Sequence, residues 1–167
     1  MFLLHLFTRK YQPVSFVGRG FSLIEIVITL AVMAIISAIS LSALSSSTDN
    51  EVLNKATDSV VSVFAESRSL TISAKNASNF GVHLTSTGPI IFKGNSYNAS
   101  ATSNIPLLLN SRVSINTISL VDGSTDVVFD RFTGNTSNNG TFRVVLVSNP
   151  SKYKTVTVYK TGIVEVQ

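Results

Sequence analysis

At 167 residues and 44% hydrophobic, the chain is long enough for one ordinary domain and too apolar to be a disordered tail. Thirteen basic residues face nine acidic ones, a formal charge of +4, but Arg9, Lys10 and Arg19 all precede Phe21. Without those three the balance is nearly even, so overall basicity is no argument for a nucleic-acid partner. The absence of cysteine excludes disulfides, thiolate metal sites and a cysteine nucleophile. The two histidines, His5 and His83, lie on opposite sides of an apolar segment, which argues against a metal centre.

The basic residues of positions 1–20 predict a cytoplasmic amino-terminal end, with the rest of the chain crossing the membrane. From Phe21 to Leu44 the only charge is Glu25. As a helix this stretch extends roughly 36 Å at about 1.5 Å per residue, enough for a hydrocarbon core of about 30 Å. Its first part, to Ile36, is nearly all Ile, Leu, Val, Met, Phe and Ala, while Ser37, Ser40, Ser42 and Ser45 interrupt the second. Small residues there let neighbouring helices approach closely.

Residues 45–76 continue the helix as an amphipathic one. Val52, Leu53, Ala56, Val60, Val63 and Phe64 recur at helical spacing, with Asp49, Glu51, Lys55, Asp58 and Glu66 between them. No Pro or Gly occurs between Phe21 and Lys75, and the expected stop is Asn76 to Asn79. Residues 77–167 change to short β-rich runs: Phe80–Leu84, Pro89–Phe92, Leu107–Leu109, Val113–Leu120, Asp126–Phe129, Thr141–Val147, Thr155–Tyr159 and Ile163–Val166. Asp122-Gly123, Asn139-Gly140 and Thr161-Gly162 read as hairpin turns. The expected fold is α+β, a long amino-terminal helix whose second half covers one face of an antiparallel sheet. The partly alternating run Thr141–Val147 predicts a strand covered on both faces at one end.

The string Gly20-Phe21-Ser22-Leu23-Ile24-Glu25 followed by an apolar run resembles the processing site of type IV pilins and type II secretion pseudopilins. The resemblance implies that residues 1–20 are a leader and that prepilin peptidase cuts between Gly20 and Phe21. It further implies that Phe21 becomes an N-methylated terminus and that Glu25 is the carboxylate used in assembly. Physical chemistry gives Glu25 a similar task. A charged side chain at a bilayer centre costs about 2.5–3.5 kcal/mol on insertion scales, so it needs a partner. A new amine at Phe21 supplies one if parallel helices are staggered. Ile24, Ile26, Val27, Leu30, Val32, Ile35 and Ile39 are then the expected packing residues of a filament core.

Further along, Ala65-Glu66-Ser67-Arg68, Val127-Val128-Phe129-Asp130 with Gly134, and Val156-Thr157-Val158 with Thr161-Gly162-Ile163-Val164 resemble the GspH/FimT-like group of pseudopilins and minor pilins. That resemblance implies a filament subunit that begins as a single-pass inner-membrane precursor in lipid. It then joins other pilin subunits outside the cytoplasm. Two departures stand out. Ala34 and Ser42 occupy the stretch where many pilins carry a helix-loosening Gly or Pro, and no disulfide can close the carboxy-terminal region.

Ala38-Ile39-Ser40 fits a small-x-small signal cleavage site, but the apolar run exceeds the usual h-region of about 7–15 residues. A membrane-anchored binding module that never polymerises is the alternative from another class. Within it, Arg143, Lys152, Lys154 and Lys160, near Tyr153 and Tyr159, are candidate phosphate contacts for DNA. Solvated lysines at strand edges are the favoured reading of that cluster. Asp122-Gly123-Ser124-Thr125-Asp126 lacks the ligand density of a calcium loop and reads as a turn. Asn-x-Ser/Thr patterns at Asn76, Asn98, Asn135 and Asn139 follow from composition. With His83 the sole histidine after processing, no nucleophile has an evident base, and neither an enzyme nor a cofactor is expected.

Overall fold

The computed structural model describes residues 20–73 and 77–167, apart from the side chains of residues 40–46. Residues 1–19, with His5, Arg9, Lys10 and Arg19, lie outside the described residues, as do Asn76 and the side chains of Ser40, Ser42 and Ser45. Helix α1 runs Leu23–Ile72, 50 residues. The chain divides into two compact units that meet between Ser42 and Ala43.

In the first unit every described side chain is exposed. Among the described residues no helix is long and apolar enough to cross a membrane. The span expected at Phe21–Leu44 is therefore not displayed in full, because the described side chains of that stretch end at Ile39.

In the second unit the amphipathic pattern forms the expected face. Leu53, Ala56, Val60, Val63 and Phe64 are buried and Val52 partly so. The same face also carries Thr57, Ser67 and Thr71, all fully buried. Thr57 and Thr71 donate back to the carbonyls of Leu53 (2.8 Å) and Ser67 (3.0 Å), which satisfies their hydroxyls inside the helix. Thr71 Oγ1 also accepts the Phe80 N–H at 2.9 Å and so ties the helix to the first strand.

Eight strands follow: β1 (Phe80–Thr85), β2 (Gly88–Lys93), β3 (Ile105–Pro106), β4 (Val113–Leu120), β5 (Asp126–Val128), β6 (Gly140–Leu146), β7 (Tyr153–Val158) and β8 (Val164–Val166). They form two antiparallel four-stranded sheets, ordered β3-β2-β1-β5 and β4-β6-β7-β8. A single sheet was the sequence expectation. The difference arises at two of the three expected hairpin turns. Asp122-Gly123 and Asn139-Gly140 carry the chain from one sheet to the other, because β4 and β5, and then β5 and β6, belong to different sheets. Only Thr161-Gly162 closes a hairpin, β7 to β8. Gly162 has φ +72°, and a Cβ there would lie 2.0 Å from the Gly134 carbonyl oxygen, so both backbone conformation and space require glycine.

The strand expected at Leu107–Leu109 is instead β3, Ile105–Pro106, paired with Ile91 and Ile90. Leu107 and Leu109 still donate to the Pro89 and Thr87 carbonyls, 2.9 and 3.0 Å, alongside this edge. The coverage expected on both faces of Thr141–Val147 is present near its end. Phe142, Val144 and Leu146 point into the core, and Val145 on the other face is buried as well. Phe64 stacks on Phe142 of the second sheet (5.7 Å, 19°) and meets Phe129, just after β5, edge-on (6.5 Å, 89°). One helical side chain thus seals both sheets into one core, and burying such a ring contributes about 1.5–3 kcal/mol.

Candidate processing and assembly site

Ser22 begins the helix: its carbonyl accepts the Glu25 and Ile26 N–H groups at 3.1 and 3.2 Å. Ser22-Leu23-Ile24-Glu25 is also a capping-box sequence, with the hydroxyl residue at the N-cap and the acid at the third helical position. Glu25 lies in the first turn, where the helix dipole favours a negative charge. Gly20 precedes the helix in the open, and a Cβ built there meets nothing within 4 Å. Packing against the described residues therefore does not require glycine at position 20.

Phe21 is 78% exposed. Ile24, Ile26, Val27, Leu30, Val32, Ile35 and Ile39 are all exposed too, from 46% to 67%. Leu23, Ile28, Met33 and Ile36 complete a surface that is apolar all round. A helix of this kind is stable in a core or in lipid and not in water. On this surface Thr29 donates to the Ile26 carbonyl (2.9 Å) and Ser37 to the Met33 carbonyl (2.7 Å), as the exposed Ser59 and Ser62 of the second unit do toward Lys55 and Asp58. Glu25 is the one ionisable group on this surface.

The four cations proposed as phosphate contacts do not form one patch. Arg143 pairs with Thr155 and Lys154 with Val144, so strand alternation sends Arg143 and Lys154 to opposite faces of the sheet. Arg143 lies over the Tyr153 ring at 4.3 Å. Lys152 belongs to the connection between β6 and β7, where its carbonyl accepts the Leu146 N–H. Lys160 follows β7, its carbonyl accepting the Thr136 N–H at 2.9 Å.

A polar cluster that the sequence did not signal surrounds His83. Its Nδ1 meets Asp126 Oδ1 at 2.6 Å, and its ring stacks on Tyr97 at 3.8 Å and 5°. The other Asp126 oxygen accepts the Tyr97 N–H at 3.3 Å. The partners lie 43 residues apart in one pair and in a loop in the other, so no spacing pattern announces them. The nearby Thr125 hydroxyl is 3.4 Å from the same Nδ1 that Asp126 occupies, a poor arrangement for proton abstraction. The cluster is built to pin the loop that carries Tyr97.

The Asp122–Asp126 turn is held partly by its own side chains and partly by Asn138, whose Oδ1 accepts the Asp122 N–H at 3.1 Å. The Ser124 N–H donates to Asp122 Oδ1 at 2.8 Å and holds that carboxyl below its ordinary range. Among the described residues no group of three or more His, Cys, Asp or Glu could hold a metal ion.

Residues 18–41 match the family described as the Prokaryotic N-terminal methylation motif. The fold is similar to a crystal structure of the type IV minor pilin FimU of Pseudomonas aeruginosa PAO1, in space group P21. That match has a TM-score of 0.53 at 11% identity and covers 72% of this chain and 91% of that one. A second crystal form of FimU, in space group P65, matches at TM-score 0.49 and 12% identity, covering 69% and 92%. No curated protein matches the chain. The long helix leading into antiparallel strands is the pilin fold, α+β.

Proposed function

We propose that this type IV pilin-like chain, with its N-terminal methylation motif ahead of a minor-pilin fold, is a non-enzymatic structural subunit of a pilus or type II secretion-like filament. The precursor is held in the inner membrane with its amino terminus cytoplasmic. Prepilin peptidase cuts it between Gly20 and Phe21, Phe21 is N-methylated, and the subunit leaves lipid for a bundle of parallel helices.

The observation that carries this reading is the exposed apolar surface from Phe21 to Ile39, with one acid near its start. Lipid is as apolar as leucine, so leaving the bilayer for the bundle gains little from hydrophobicity. Close packing and the pairing of polar groups must supply the drive. Glu25 of one subunit paired with the Phe21 amine of the next supplies the polar contact and fixes the axial register. Ile24, Ile26, Val27, Leu30, Val32, Ile35 and Ile39 supply the packing.

The test is amino-terminal mass spectrometry of the membrane-associated protein and of sheared filaments. A chain beginning at methylated Phe21 supports the proposal, and an intact Met1 terminus favours an anchored module that never polymerises. DNA binding gains nothing from the separation of Arg143 and Lys154 onto opposite sheet faces.

A further inference from the structure

Each sheet of the second unit has two edges, and three of the four carry a device against strand addition. β3 contains Pro106, which has no N–H to offer. β4 is broken by a bulge between Asn116 and Ser119 with Thr117 at φ +49°, and its Ile115 N–H is already taken by the Ser86 carbonyl at 3.2 Å. β5 is closed by side chains: Asn138 Nδ2 donates to the Asp126 carbonyl, and the Asp126 N–H donates to Ser124 Oγ at 3.1 Å.

β8 is short, three residues, but has no proline, bulge or side-chain closure of this kind. Thr155 and Gln167 exchange both backbone bonds (3.0 and 2.9 Å), and Tyr159 N–H donates to the Ile163 carbonyl at 2.9 Å. Antiparallel alternation therefore turns residues 163, 165 and 167 toward β7, and the N–H and C=O groups of Val164 and Val166 toward the open side. Beside that edge runs an apolar groove of about 480 Å³, lined by Val61, Ala65, Arg68 and Ile72 of the helix, by Ile163 just before β8 and by Val164 at its start. Ile163 is 57% exposed at its rim. Arg68 spends its Nε on the Gly134 carbonyl (3.1 Å) and makes no ion pair among the described residues. That leaves four of the five guanidinium N–H donors for an acid.

We propose that the β8 edge receives an extended segment of a neighbouring filament subunit, with an apolar side chain in the groove and a carboxylate on Arg68. Main-chain bonds to Val164 and Val166 supply the affinity, and the groove with its single cation supplies the selection. The proposal rests on the filament reading above, and it concerns the β unit rather than the apolar helix.

Hydrogen exchange on the full-length processed protein tests it, comparing intact sheared filaments with the same protein solubilised in detergent. The Val164 and Val166 amides should slow by about tenfold or more in filaments. A photo-crosslinker at Ile163 should join an extended, acid-bearing segment of a pilin subunit. Val164→Pro removes one outward N–H without touching the pairing to β7, and it should lower incorporation while leaving cleavage before Phe21 intact. If the chain sits in filaments with both amides exchanging as fast as in detergent, or if Ile163 crosslinks to lipid or to a helix, the edge proposal is overturned and the filament reading stands. A chain absent from filaments overturns both.

Discussion

The two units of this chain treat hydrophobic side chains in opposite ways. From Ala43 onward Phe64, Phe129, Phe142 and Leu146 are almost wholly shielded from solvent by the chain's own helix and sheets. From Phe21 to Ile39 side chains of the same kinds are left uncovered. The second unit has what a water-soluble domain needs, while the first is complete only when lipid or other helices surround it. Composition alone does not make this difference, because Val60 and Val32 are the same residue on the same helix. What differs is the presence of polar residues at the intervening positions and of strands to pack against.

The sharpest way to break this comparison is Glu25→Val. It should leave cleavage and β-domain folding intact but reduce filament incorporation close to zero, as read by the amount of processed protein in membranes and in sheared filaments. Normal incorporation would remove the register role from Glu25.

Next in size, Phe64→Ala should destabilise the second unit by about 3–5 kcal/mol, since it opens a cavity between both sheets. Leu30→Ala should change that stability by less than about 0.5 kcal/mol, because no described residue covers it. Denaturant unfolding of the full chain in detergent measures both, and equal effects would contradict the division of labour.

A smaller loss, about 1–3 kcal/mol, is expected for Thr71→Val, which keeps the shape but leaves the buried Phe80 N–H without its acceptor. The smallest effect belongs to the surface pair Tyr159–Glu165, 2.7 Å apart. The hydrogen bond to Glu165 favours the neutral phenol and raises the Tyr159 pKa. The contribution of this bond is therefore present below the ordinary phenol value of about 10 and is lost as pH rises through the folded value. In Glu165→Gln, absorbance titration should show Tyr159 ionising at lower pH than in the parent protein, with unfolding barely changed.

Much of this architecture is legible in the residues because the signals are local. The helical face from Val52 to Phe64 follows from a 3.6-residue period, and most strands follow from β-branched runs closed by turn residues. The Gly20-to-Glu25 string is legible for the same reason, since six adjacent residues hold the whole candidate site. What escaped depends on contacts distant in sequence. Asp122-Gly123 has turn chemistry whether it closes a hairpin or crosses between sheets, so its residues do not distinguish two sheets from one. Pro106 moved the short third strand onto Ile105 and Pro106, where a missing N–H does no harm at an edge. The buried Thr57 and Thr71 have the composition of solvent-facing positions, but the helix absorbs their hydroxyls through the Leu53 and Ser67 carbonyls. His83, Tyr97 and Asp126 meet only after β1 and β5 have paired.

The central claim is that the exposed apolar helix begins at a newly made amine and is covered by its counterparts in a filament. Intact-mass and amino-terminal analysis of the protein recovered from sheared filaments tests this most directly. The account predicts a single species that starts at Phe21 and carries one added methyl group. A filament-associated or membrane-associated chain that still begins at Met1, in cells with an active prepilin peptidase, would contradict it.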